Sequence, residues 1–324
     1  MNNLHYLSWL GNIHLLTENF NEGFEQFHSR IFNDPLLKKI IAQKKTIWTG
    51  QPLDGKRILV CSESGYGNII QFSRYIPLLK QLHCEIIFSC PIELQHLFSN
   101  ISEIDEFVLP DQNFDDFFYW IPLLDLPKLL APNLLEACSQ PLELAINDDK
   151  LSEWEVLLGL DEKIKIGLCW QGDPNNPKDH LNSVNLSMFN NILSIPNTSF
   201  ISLQKGFARN QIQSNEFEKF IIDYDPLIDQ GSNKFFDTVA IMKYLDLVIT
   251  TDTSIAHLAG TLGIQTWVLL PQVPDWRWFL NKNESIWYDN MRLFRQNNNQ
   301  WDGVFKELKV ECEQLVSNIS EIRK

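Results

Sequence analysis

The sequence has no CxxC pair, no block of basic residues and no apolar run of the about 18–20 residues needed to cross a bilayer. Each absence removes a class of function. The six cysteines, at 61, 84, 90, 138, 169 and 312, are scattered, and four lie in or beside apolar, strand-like runs. Zinc binding and dithiol redox chemistry are therefore set aside, and buried free thiols in a reducing compartment are expected. A formal net charge of −14 without clustered Lys and Arg argues against a general nucleic-acid or anionic-membrane surface, although it permits one local phosphate pocket. The amino terminus MNNLHYLSWLGNIH lacks a basic start, a long apolar stretch and a small-residue cleavage site. No secretion signal is expected, and the expected location is the cytoplasm. The 324 residues, 44% of them apolar, suffice for two domains of ordinary size.

Periodicity divides the chain. Residues 4–30 repeat Leu4, Leu7, Leu10 and then Phe20, Phe24, Phe27 at helical spacing, with an interruption at 19–23, which predicts a helix–turn–helix. From residue 57 strands and helices alternate. RILVCS (57–62), CEIIFSC (84–90) and EFVLP (106–110) read as strands; 68–82 reads as one amphipathic helix containing a proline, and a further helix is expected near 91–99. Segment 111–155 is less regular. Alternation resumes with strands KIGLCW (165–170), SFISLQK (199–205), KFIIDYD (219–225), LVITT (247–251) and QTWVLL (265–270), with helices at 235–245, 254–262 and 301–323. This spacing implies βαβ units and parallel sheets. The expected division is a helical hairpin and linker (1–47), an α/β domain (48–155) and a second α/β domain (156–324), with sites at the carboxyl ends of strands and in the cleft between domains.

Two loops carry chemistry. In CSESGYGNIIQF (61–72), Gly65 and Gly67 flank Tyr66 where a strand turns into a helix. The third glycine of a dinucleotide fingerprint is missing, and no Gly-Lys-Ser/Thr of a Walker loop follows. What remains is a loop of backbone N–H groups suited to a negative or hydroxyl-rich ligand, with Asn68 expected at or near the helix N-cap. In LVITTDTSIAHLAGTLG (247–263), a buried strand ends in four polar residues, Thr250 to Thr253, and a helix follows at once, closed by Gly263. Its first N–H groups and the hydroxyls of Thr253 and Ser254 suit a phosphate or pyrophosphate, and His257, one turn in, is placed within reach. SLQKG (202–206) ends another strand with Gln204 and Lys205, the lysine serving as a point-charge clamp. The polar loop starting at Trp170 and holding Asp173 and His180 supplies further donors. PQVPDWRWFLNKNESIWYDNMRLFRQ (271–296) mixes Trp276, Trp278 and Trp287 with Asp275 and Arg277, which suggests a ring clamp or the wall of a cleft.

Taken together, ESGYGNIIQFSRYIPLL, SLQKG, TTDTSIAHLAGTLG, VLLPQVPDWRW and SIWYDNMRLFRQ resemble the glycosyltransferase module of bacterial tetratricopeptide-repeat glycosyltransferases, which is related to the ADP-heptose:lipopolysaccharide heptosyltransferases. The likeness covers about residues 48–310, and residues 5–30 look like a last tetratricopeptide repeat. It implies a GT-B fold, with two Rossmann-like domains facing a cleft. The acceptor would be bound mainly by the first half and a nucleotide-sugar donor by the second. It further implies an inverting, metal-independent transfer to a protein or glycan hydroxyl. Lys205, Gln204, Thr253, Ser254, His257 and Trp170 would serve the donor, with Asp252 organising the turn. Gly65, Tyr66, Gly67, Asp173, His180, Asp275 and Arg277 would lie on the loop or acceptor side. At Asn68 the family normally has Asp, taken as the base that deprotonates the acceptor; an amide takes up no proton near neutral pH. The Asp-Arg…Arg-Ser run usual in the family is Asp179-His180-Leu181-Asn182-Ser183 here. Two readings follow. One is an active enzyme with another base, for which Glu63, Asp173 and His180 are candidates. The other is a degenerate homologue that binds a nucleotide-sugar or a partner protein. No cofactor is implied beyond the donor substrate, and neither the sugar nor the acceptor is specified.

Overall fold

The computed structural model describes residues 2–63, 65–131, 142–159, 162–214, 217–231 and 233–323. The chain forms two compact units. One comprises Met1–Ala145, Ser232–Lys234 and Asp275–Asn281, and the other the remainder. Residues 1–47 thus group with the first sheet, and the second unit begins at Ile146.

In the first unit, strands β1 (Thr46–Ile47), β2 (Arg57–Cys61), β3 (Glu85–Ser89), β4 (Glu106–Val108) and β5 (Tyr119–Pro122) make a wholly parallel sheet in the order β1-β5-β2-β3-β4. Val60 lies in register between Phe88 and Ile121. Strands covered on both faces read as unbroken apolar runs, and β2 and β3 were legible for that reason. Two strands of this sheet were not anticipated. β1 has only two residues, and β5 lies within the proline-rich stretch read as irregular, its last residue being Pro122. The helix expected over 68–82 divides into Tyr66–Phe72, a 3₁₀ turn at Ser73–Tyr75, and Ile76–Lys80. Pro77 has no N–H to give the Ser73 carbonyl, so the Ile76 N–H bonds it and the turn tightens.

The amino-terminal hairpin pairs helices Asn2–Leu16 and Phe20–Phe27. Glycines permit the close approach: a Cβ on Gly11 would lie 2.4 Å from the Phe27 backbone nitrogen, and one on Gly23 would lie 2.8 Å from Leu15 Cγ. The chain then runs through a 3₁₀ segment, His28–Phe32, into helix Pro35–Ala42, where the Asp34 carboxylate caps the N–H groups of Leu36 and Leu37 at 2.8 and 3.0 Å. Ile31 and Leu37 join Leu59, Ile87 and Trp120 in one core.

In the second unit, β6 (Ile164–Cys169), β7 (Thr198–Ser202), β8 (Ile221–Ile222), β9 (Leu247–Thr251), β10 (Thr266–Leu270) and β11 (Met291–Arg295) make a six-stranded parallel sheet ordered β11-β10-β9-β6-β7-β8. β11 lies at the end of the tryptophan-rich segment, where the sequence suggests no strand. Helix Asp302–Ile322 buries Val304, Phe305, Leu308, Cys312 and Val316 against the sheet, with Phe305 edge-on to Phe189 at 4.9 Å. No helix among the described residues is long and apolar enough to cross a membrane. The five described cysteines are free and buried, and Cys138 lies outside the described residues.

In each sheet the strand order reverses once, between β5 and β2 in the first and between β9 and β6 in the second. Helices leaving adjacent strands to opposite sides open a crevice at such a point, at the carboxyl ends of these four strands.

Candidate functional site

At the end of β2 the chain passes Ser62 and Glu63 and enters helix Tyr66–Phe72, whose N-cap is Gly65. A Cβ at Gly65 would meet nothing within 4 Å, so the loop backbone is open there. Asn68, expected at or near the N-cap, lies in the first turn. It is the third helical residue, and its Oδ1 accepts a hydrogen bond of 2.6 Å from Arg277 Nη2. Arg277 is 7% exposed and pairs through Nη1 with Asp275 Oδ1 at 2.7 Å. Its guanidinium carbon lies 5.2 Å from the ring centre of Trp276 and 5.9 Å from that of Phe72. Trp276 in turn packs on Phe24 and Phe27 of the hairpin, with ring centres 5.9 Å apart in each case. Trp276, Trp278 and Trp287 are all buried, so these rings build core and none is presented as a clamp.

Glu63, proposed from sequence as a base, is committed elsewhere. It is 2% exposed; Oε2 accepts from Arg30 Nε at 2.9 Å, while Oε1 accepts from Arg30 Nη2 at 2.5 Å and from the Leu124 N–H at 3.2 Å. Arg30 also donates through Nη1 to Asp125 Oδ1 at 2.7 Å, just past the end of β5, and His28 Nδ1 meets the other Asp125 oxygen. Burial pushes the Glu63 carboxyl up, against the pull of Arg30. Burial also acts to raise Asp125, but Arg30 and His28 outweigh it and hold that carboxyl below its ordinary value. A carboxylate with both oxygens held by a bidentate guanidinium is a structural anchor, and it ties the reversal point of the first sheet to the 3₁₀ segment after the hairpin. Nothing in the sequence marks Arg30, His28 or Asp125, since their partners lie far away along the chain.

In the second unit, β9 delivers Asp252, Thr253 and Ser254, all half-buried, to the start of helix Ser254–Thr261, with Thr253 as N-cap. The Thr253 side chain does not cap; its hydroxyl lies 3.0 Å from Thr250 Oγ1 and 3.9 Å from Cys169 Sγ, a thiol that burial pushes up to about 11. The far end of the helix is closed as predicted: Gly263, at φ +74°, bonds the Gly260 carbonyl, and Ile264 reaches back to Ala259.

Three residues assigned to the donor turn inward. His257 is 3% exposed, with Nδ1 3.0 Å from the Tyr288 hydroxyl. One turn along a helix from Thr253 leads here into the core. Trp170 is fully buried in the core of the sheet. Gln204 Oε1 accepts from the Trp170 and Gln171 N–H groups at 3.0 and 2.9 Å, and its Nε2 donates to the Gln171 and Lys205 carbonyls, so this amide fastens the end of β7 to that of β6. Lys205 remains exposed after β7, paired with Asp225 and donating to the Ile228 carbonyl at 2.8 Å. Asp225 also faces Arg209, whose Nη1 is 3.3 Å away. Asp173 stands exposed on the loop after β6 and His180 on the short helix Asp179–Asn182 that follows, where Asp179 accepts from Gln171 Nε2 and Ser183 Oγ at 2.6 Å each.

Comparisons agree with this architecture. Family 9 glycosyl transferase from Veillonella parvula superposes with a TM-score of 0.57 over 83% of this chain and 99% of that one, at 13% identity. ADP-heptose lipopolysaccharide heptosyltransferase II of Escherichia coli gives 0.56 over 81% and 99%, at 12% identity. This chain has their GT-B fold. In sequence it is 24% identical over 306 residues to protein FlbA of Caulobacter vibrioides, covering 83% of this chain and 51% of that protein, so it spans about half the length of the curated relative it matches. No protein-family model matches the chain.

Proposed function

We propose that the protein is a glycosyltransferase-type binder of a nucleotide-sugar, which moves the sugar to an acceptor held by the first unit, with inversion and without a metal. The observation that carries the proposal is the end of β9: three half-buried polar residues, Asp252, Thr253 and Ser254, open a helix at the reversal point of the second sheet. N–H groups and hydroxyls there suit the diphosphate of a donor. Lys205, after β7 of the same sheet, supplies a mobile cation once the diphosphate displaces Asp225. Such groups would stabilise the leaving diphosphate as the glycosidic bond breaks. The heptosyltransferase fold supports a nucleotide-sugar as the ligand class.

A second reading is favoured by one observation. Asn68 presents its oxygen to Arg277, and Glu63 is locked by Arg30, so the first unit offers neither as a base. On this reading the protein binds the nucleotide-sugar but does not transfer the sugar. Calorimetric titration with ADP, UDP, GDP, CDP and CMP, with Lys205→Ala as control, tests the shared part. Micromolar binding of one nucleotide, weakened about tenfold in the variant, is expected. Failure of all five to bind would remove both readings. Transfer assays with the matching nucleotide-sugar would then separate them.

A further inference from the structure

We infer that Arg277 is a positioning residue that fixes the Asn68 amide with its N–H₂ outward, so that this position gives the acceptor a hydrogen-bond donor where a proton acceptor would otherwise stand. The inference rests on the reading that the loop after β2 takes the acceptor. A guanidinium has donors only, so the atom of Asn68 that faces it at 2.6 Å is the carbonyl oxygen. The Nδ2 hydrogens then point away from Arg277, and among the described residues none accepts from them. They are left to bond a lone pair of the acceptor.

Asn68 does not set this geometry; the protein sets it by holding Arg277. The guanidinium is buried, paired with Asp275 at 2.7 Å, and packed over Trp276 and Phe72. Phe72 is four residues beyond Asn68 on the same helix, so the two side chains share the face against which Arg277 lies. A carboxylate at position 68 would meet the same guanidinium. It would be held ionised, its proton affinity lowered by about 1–3 pH units, with Asp275 competing for Arg277 and reducing that shift. Restoring the acid therefore does not restore a base.

The test introduces a carboxyl by Asn68→Asp and follows its titration by ¹³C difference spectroscopy on aspartate-labelled protein, in the presence and absence of a second change, Arg277→Gln. The introduced carboxyl is expected to titrate at least about one unit below the ordinary value of ~3.9, and to return to that value or above it once Arg277 is replaced. If the buried Arg277→Gln variant does not fold, Arg277→Lys keeps the charge but loses the planar fork, and the shift should shrink. Titration at or above the ordinary value with Arg277 in place overturns the inference. So does a gain of kcat in Asn68→Asp, since the expectation is a fall. Wild-type protein that binds nucleotide but transfers to no acceptor would remove the transfer reading alone, because the titration decides the role of Arg277 without any turnover.

Discussion

Replacing Arg30 by Met isolates the buried ion-pair cluster of the first unit. Methionine preserves most of the length that packs over Phe27, 4.2 Å from the guanidinium carbon, while removing the three bonds to Glu63 and Asp125. His28 still faces Asp125, so the main loss falls on Glu63, left with the Leu124 N–H as a partner. An unpaired buried carboxylate costs about 3–5 kcal/mol. Protonation sets a ceiling on that cost. From an ordinary value of 4.5, neutralising Glu63 at pH 7.5 takes about 4 kcal/mol, and at pH 5.5 only about 1.4 kcal/mol. In the variant, Glu63 becomes an acid with a strongly raised folded-state pKa, so the folded state binds more protons than the unfolded one and stability falls as pH rises through this window. Wild-type Glu63 is raised in the same sense but less, and the contribution of Asp125, which is lowered, fades only as pH falls below the ordinary carboxylate range. The expected loss is therefore about 4 kcal/mol at pH 7.5 and at least 2 kcal/mol less at pH 5.5. Urea unfolding at the two pH values, with hydrogen exchange of peptides from residues 57–72 to assign the transition to the first unit, measures it. A loss below about 1 kcal/mol at pH 7.5, or an equal loss at both, refutes the reasoning.

Two further outcomes concern the second unit. In Gly260→Ala the new Cβ would sit 2.6 Å from Cδ1 and 2.7 Å from Cγ of buried Tyr288, a ring pinned by its bond to His257, so a loss of about 1–3 kcal/mol is expected. Differential scanning calorimetry should show the unit melting several degrees lower; an unchanged transition would mean the ring moves freely. His257→Phe removes the 3.0 Å bond to Tyr288, at a cost of about 0.5–1.5 kcal/mol, while nucleotide affinity should stay within about twofold. Tenfold weaker nucleotide binding with unchanged stability would return His257 to the ligand.

Much of the framework was already written locally. β2, β3, β9 and β10 are apolar runs bounded by turn residues, and such runs between helices leave few arrangements besides parallel sheets. The closure of helix Ser254–Thr261 depends on one glycine at positive φ, and Gly263 announces it. Pro77 likewise carried its own warning, though not the 3₁₀ turn that resulted. The two-residue β1 and the proline-ended β5 gave no such signal, because short strands bury too little for a period to show.

The candidate site was legible as a set of positions and illegible as a set of roles. Asn68, Thr253 and Lys205 were found because a loop between a strand and a helix is a local feature. What Asn68 does depends on Arg277, 209 residues away, and what Glu63 does depends on Arg30, 33 residues before it. A polar loop beside Trp170 and a helix start beside His257 suggest ligand contacts from sequence, yet both side chains are buried. Periodicity in the chain determines which residues become strands and helices, since that choice is made within a few residues. The charge partner and the exposure of each side chain are properties of the packed chain, and they decided which of the named residues stay open to solvent.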